Sequence, residues 1–312
     1  MSFDLWNYIE MIFFYKQDKN GEFKIGQKDF ITFAIITLIL FLARKLIFAI
    51  AGIWKHKIPK TKQLKFQQCF FQACFRTFCV IVMFVSMWET PIFKRATAPY
   101  LDQEYKKPVG RQETIPLGHK FIYLLNLGYI TIMFPIVYKF ENGKGIVLMY
   151  LHHIVTASVV IASYVGNLWQ HGIPIFFVND IGVFLLYYGK TFNYLSKKIS
   201  AQIVFVFLVL FYFLFRGVNY PFHVFTALGA RHLFHTTNQK IQYWITIMTP
   251  LLVLQLMQLI WLGFISKMLY NVLFHNRFDG DARSDNENTV NKKNNKKVSE
   301  KRNIKNLSKK QK

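Results

Sequence analysis

"LHHIVTASVVIASYVGNLWQHGIPIFFVNDIGVFLLYYGKTFNYL" (residues 151–195) is two apolar stretches broken by a Gly-Asn pair. Neither alternates with period two, and each is close to the ~20 residues a helix needs to cross a bilayer. The polar residues inside them carry the information. At ~100° per residue, His152, His153, Thr156, Ser163, Tyr164 and Asn167 fall within one ~120° arc of a helix over 145–168, with Ser158 alone on the other side. Polar groups are costly in hydrocarbon and turn toward the interior of a bundle. In the second stretch Asn179, Asp180, Tyr187, Lys190 and Thr191 share one side of the next helix. The connection at 169–171 is short, so the two helices are expected to be antiparallel neighbours. A carboxylate at membrane depth needs a partner, and His152 or His153 is the nearest one this reading offers. A carboxylate bonded to an imidazole orients the ring and raises its basicity, which suits proton transfer. The bland alternative is a buried neutralising pair with no chemistry.

The rest of the chain extends the pattern. Its 312 residues are 53% hydrophobic and 18% aromatic, too apolar for a soluble domain. Continuous apolar runs lie at 30–52, 66–88, 119–138, 145–168, 172–190, 201–227 and 241–270. The expected fold is therefore all-α: a polytopic membrane protein of about seven transmembrane helices. The net charge of +23 raises the question of nucleic acid. Its distribution argues otherwise. Residues 276–312 hold 12 Lys/Arg against 5 Asp/Glu in a low-complexity Asn/Lys tail expected to be disordered. Segments 44–65, 139–144 and 190–200 carry 12 Lys/Arg in 39 residues, against 11 in 75 for the segments on the other side. That bias puts the tail and these loops in the cytosol and the N-terminus in the lumen. The expected organisation is a luminal segment 1–29, a first helix and basic loop 30–65, a six-helix membrane domain 66–275, and the tail 276–312.

Other spans add charges. Tyr212, Arg216, Asn219, Tyr220 and His223 are spaced along one face of 201–227, and Pro221 is expected to kink that helix. Arg216 cannot lose its charge and must meet an anion, either Asp180 or a ligand. Arg76 is expected to make a structural or lipid-phosphate contact. Cys69, Cys74 and Cys79 step five residues apart, which drifts around a helix, so they read as packing residues with no metal or disulfide pattern.

The stretch 151–195 resembles the signature of ceramide synthases within the TLC-domain membrane family. His152, His153, Thr156, Ser163, Tyr164, Asn167, Asp180, Lys190, Asn193 and Tyr194 stand in its register. "KFQQCFFQACFRTF" (65–78), "FIYLLNLGYI" (121–130) and "FRGVNYPF" (215–222) resemble flanking parts of the same domain. Two positions depart: Val183 and Gly145 stand where the family usually has Asp. The resemblance implies transfer of a fatty acyl group from acyl-CoA to the amine of a sphingoid long-chain base, with no bound cofactor. It makes the His152/His153 pair the general base or the acyl acceptor, with Asp180 orienting it. Thr156, Ser163, Tyr164, Asn167, Lys190, Asn193 and Arg216 would line the substrate site. The expected partners are the two substrates, the bilayer and a second subunit in a homo- or heterodimer. The implied location is the endoplasmic reticulum membrane, in keeping with the dilysine-like "KKQK" at 309–312. The same family also implies an alternative, a non-catalytic protein that binds lipid or assists cargo trafficking or translocation.

Overall fold

The computed structural model describes residues 27–88, 91–97, 99, 115–136, 144–166, 168–229 and 237–275. All its regular elements are helical: α1 (Gln27–Ala51), α2 (Lys60–Met87), the short α3 (Pro91–Thr97), α4 (Leu117–Met133), α5 (Lys144–Val165) and α6 (Trp169–Tyr194). They continue with α7 (Lys198–Phe211), α8 (Tyr220–Gly229), α9 (Thr237–Tyr243) and α10 (Thr249–His275). Six stretches among the described residues are long and apolar enough to cross a membrane: 28–57, 60–87, 146–165, 169–194, 198–228 and 240–271. The expected span 119–138 is the exception. It forms α4, 17 residues long, and tightens into a 3₁₀ turn over Phe134–Ile136. Pro116 and Pro135 bracket it, and proline cannot continue an α-helical hydrogen-bond ladder.

α6 is the axis of the bundle. It packs on α2, α3 and α7, while α1 lies outside against α2 and α4, and α10 lies along α5. Half of the most apolar window of α6 is buried, against 11% for α1. Leu38, Leu42 and Leu46 of α1, Ile203 and Val206 of α7, and Leu252 and Leu256 of α10 point outward. A soluble surface would not carry so much exposed aliphatic area; a lipid-facing one does.

Two widened turns break the outer helices. Tyr212–Asn219 and Trp244–Met248 are π-helical, and each ends one residue before an X-Pro pair that opens the next helix, Tyr220-Pro221 and Thr249-Pro250. Proline offers no N–H to the preceding turn, so the turn opens. The expected kink at Pro221 thus takes the form of a π stretch. It rotates Tyr212, Arg216 and Asn219 inward, and all three are buried.

Candidate functional site

α5 and α6 run antiparallel from their short connection, as expected. His152 lies 13 residues before the end of α5, and Asp180 lies 11 residues into α6. Both therefore sit ~17–20 Å from the connection, at similar depth. Their neighbours come from three other elements: Arg76 from α2, Tyr212 and Arg216 from the π stretch, and Gln258 and Trp261 from α10.

The pairing differs from expectation. Asp180 is not bonded to a histidine; its Oδ1 accepts from Arg76 Nη1 at 2.5 Å. Among the described residues the α2–α6 interface is the most extensive, and it brings Arg76 to the carboxylate. A guanidinium at this depth has a stronger claim on an anion than a neutral imidazole does. Arg216 donates to the Asn179 carbonyl (2.7 Å) and to Tyr212 Oη (3.4 Å). Its charge also acts on Asp180 without an ion pair between them, so one carboxylate lies among two guanidiniums and the three groups are formally net positive. Gly182 lets Arg216 in: a Cβ there would stand 3.3 Å from Arg216 Nε.

The histidines border this cluster. The Arg76 and Arg216 charges both reach His152, and that of Arg76 reaches His153. The two imidazoles are 5.6 Å apart by ring centroid, and His152 meets the Trp261 ring edge-on at 5.1 Å. On α10, the Gln258 side chain donates to Asn179 Oδ1 at 2.8 Å, and the Gln258 backbone carbonyl accepts from Tyr212 Oη at 3.2 Å.

This core contains many buried polar atoms without a hydrogen-bond partner. Arg76 Nε, Arg216 Nε and Trp261 Nε1 are donors in that condition. Asp180 Oδ2, Gln255 Oε1 and Gln258 Oε1 are acceptors, and His152 Nδ1 and Thr156 Oγ1 can be either. More than nine in ten buried polar groups of native proteins are satisfied. Six of these orphans belong to the residues of the cluster itself, and Thr156 and Gln255 lie one turn from His152 and Gln258 along their helices; together they mark a place that takes a polar ligand or waters.

The remaining expected site residues lie elsewhere. Ser163 is ~16 Å from His152 along α5. It bonds Tyr123 Oη at 2.7 Å, close to Gly172, where a Cβ would fall 1.9 Å from that hydroxyl. Tyr164 meets Asp29 of α1, which also pairs with Lys120 of α4. These bonds tie α1, α4 and α5 together beside the start of α6 and do not face the histidines. Lys190 is ~15 Å beyond Asp180 toward α7, with its Nζ 5.8 Å from the Tyr187 ring. Asn193 is exposed at the end of α6. Asn167 and the tail 276–312 lie outside the described residues.

Gln255, Gln258 and Trp261 escaped the sequence reading. The signal was present: "LLVLQLMQLIWL" (251–262) places two amides three residues apart in an otherwise apolar run. The projection applied to 145–168 would have marked them.

A family profile described as the TLC domain (TRAM, LAG1, CLN8) matches residues 65–267, a range that contains every element of this core. The chain belongs to the TLC-domain family. Among relatives it is 28% identical to human ceramide synthase 5 over 148 residues, 47% of this chain and 37% of that protein. It is 28% identical to ceramide synthase LAG1 of Saccharomyces cerevisiae over 143 residues, 44% of this chain and 34% of that one. Ceramide synthase LOH2 of Arabidopsis thaliana matches at 24% over 217 residues, 65% of this chain and 73% of that protein. The chain thus spans little more than a third of the human and yeast relatives.

Proposed function

We propose that this chain is a ceramide synthase of the endoplasmic reticulum membrane, joining a fatty acyl group from acyl-CoA to the amine of a sphingoid long-chain base. The observation that carries the reading is the His152/His153 pair beside a buried, net-positive Arg76–Asp180–Arg216 core inside a TLC domain. Both substrates carry long alkyl chains, so their reacting ends can meet only where a polar core sits among lipid-facing helices. With α4 as a seventh crossing, the N-terminus is luminal and the basic tail cytosolic. Lys190, Lys197 and Lys198 then stand on the side from which the polyanionic CoA head approaches. The enzyme works as a homo- or heterodimer and needs no bound cofactor.

The amine nitrogen attacks the thioester carbonyl. A C–N bond forms, charge gathers on the carbonyl oxygen, the C–S bond breaks, and CoA leaves as thiolate. One histidine takes the proton released by the amine and returns it to the thiolate, a contribution of about 10²–10⁴-fold in rate. The other polarises the carbonyl or carries the acyl group as an acyl-imidazole. The surplus positive charge of the core favours the oxyanion. Asp180 serves by neutralising Arg76, so that the two guanidiniums can stay buried together.

A second reading has its own support. Val183 stands one turn beyond Asp180, where the family resemblance expects a carboxylate, and Arg76 occupies the acid that is present. A lipid-binding or trafficking protein would tolerate both. The test is ceramide formation in isolated membranes supplied with sphinganine and acyl-CoAs of graded length. Wild-type product that disappears in His152→Ala and in His153→Ala, at equal protein level, supports the enzyme. Absence of product at every chain length refutes it.

A further inference from the structure

We infer that the inward face of α10, through Gln255 and Gln258 together with Asp180 Oδ2, reads the hydroxylated amine head of the long-chain base. The inference rests on the proposed function and assigns the base's subsite within it. Three orphan atoms can only accept: two amide oxygens and one carboxylate oxygen. Gln258 is 3% exposed, and its nitrogen is already committed to Asn179, so its oxygen is held with the acceptor lone pairs free. Asn179 is itself fixed by a bond to the Ile175 carbonyl (2.9 Å) and adjoins Asp180 in sequence. The Gln258–Asn179 link thus ties α10 to α6 one residue before the acid of the ion pair. Trp261, one turn further along α10, touches the His152 ring. Gln258 thus lies between Gln255 and Trp261 on the face of α10 that reaches α6 and His152, and Asp180 adjoins its partner Asn179 on α6.

Buried acceptors select for donors. The reacting end of an acyl-CoA is a thioester, which only accepts, and its phosphates would meet repulsion from amide and carboxylate oxygens. A sphingoid base offers an amine flanked by two hydroxyls, all hydrogen-bond donors. Three donor groups meet three acceptors: the amine at Asp180 Oδ2, and the hydroxyls at the glutamine oxygens. A site built this way rejects analogues that lack the donor, because its own buried atoms are then left unpaired.

The test is equilibrium binding of radiolabelled sphinganine to the purified full chain in detergent micelles. Octadecylamine, which keeps the amine and chain length but has no hydroxyl, and 3-ketosphinganine serve as competitors. The expected result is that both compete at least tenfold more weakly than sphinganine. Gln255→Leu and Gln258→Leu should each erase most of that preference while acyl-CoA binding stays at the wild-type level. Leu256→Ala, on the outward face of α10, should change nothing. Equal competition by octadecylamine on the wild-type chain overturns the inference, and this arm needs no variant to fold. Sphinganine binding that survives both glutamine variants unchanged overturns it as well. Ceramide formation is scored on the same preparation. A chain that discriminates the bases but makes no ceramide supports the subsite and removes the enzyme. A chain that makes ceramide without discrimination does the reverse.

Discussion

The Arg76–Asp180–Arg216 cluster makes an asymmetric stability prediction. The Arg76 and Asp180 side chains are only 12% and 6% exposed, so solvent and salt screen them little. Breaking a buried ion pair by removing one partner costs about 3–5 kcal/mol, chiefly from the charge left behind. The two removals leave different remainders. Arg76→Met leaves Asp180 facing Arg216, still one anion for one cation, and should fall near the low end, about 3 kcal/mol. Asp180→Asn strands two guanidiniums that repel each other, and should reach about 5 kcal/mol or more. The double variant removes one charge of each sign and should cost less than the sum of the singles by about 1–3 kcal/mol. Unfolding of the purified chain in detergent micelles, followed by denaturant titration, measures all three. An Arg76→Met variant at least as unstable as Asp180→Asn would refute the shared-carboxylate account. So would strict additivity in the double variant.

Three other outcomes are expected. Gly172→Ala places a methyl on Tyr123 Oη and should destabilise the bundle by about 1–3 kcal/mol, with Tyr123→Phe recovering part of the loss in a thermal-stability assay. Asp29→Asn removes the acid that holds Lys120 and Tyr164, and should lower stability by about 1–3 kcal/mol without altering catalysis, read from melting and turnover on one sample. Gly182→Ala presses on Arg216 Nε at 3.3 Å and should reduce ceramide formation several-fold while leaving expression intact, as membrane assays with matched protein levels would show.

Much of this was legible because hydrocarbon penalises polar atoms at every position. The arc of His152, His153 and Thr156, and the depth match with Asp180, followed from helix periodicity and one short connection. The partner of Asp180 did not follow. Nothing in 151–195 shows that α2 lies along α6, and only that tertiary packing delivers Arg76. Arc membership also failed to separate levels along a helix. Ser163 and Tyr164 share the histidines' side of α5 but stand three turns away, where α1 and α4 take them up. α4 marks a different limit: hydropathy extended the span to 138, while Pro135 shortened the helix. The π turn carrying Arg216 could be anticipated as a break at Pro221, but its form depends on how the opened backbone repacks against α10.

Acyl transfer at the histidine pair is the work proposed for this polar core. The most direct measurement is single-turnover ceramide formation by the purified chain in micelles, with sphinganine and a saturating long-chain acyl-CoA. It should be run alongside His153→Ala and the outward-facing control Leu256→Ala. The expected result is ceramide and free CoA in equal amounts from the wild type and the control, and a loss of about 10²-fold or more for His153→Ala with both substrates still bound. Equal rates in wild type and His153→Ala, or substrate binding without any ceramide from the wild type, would contradict it.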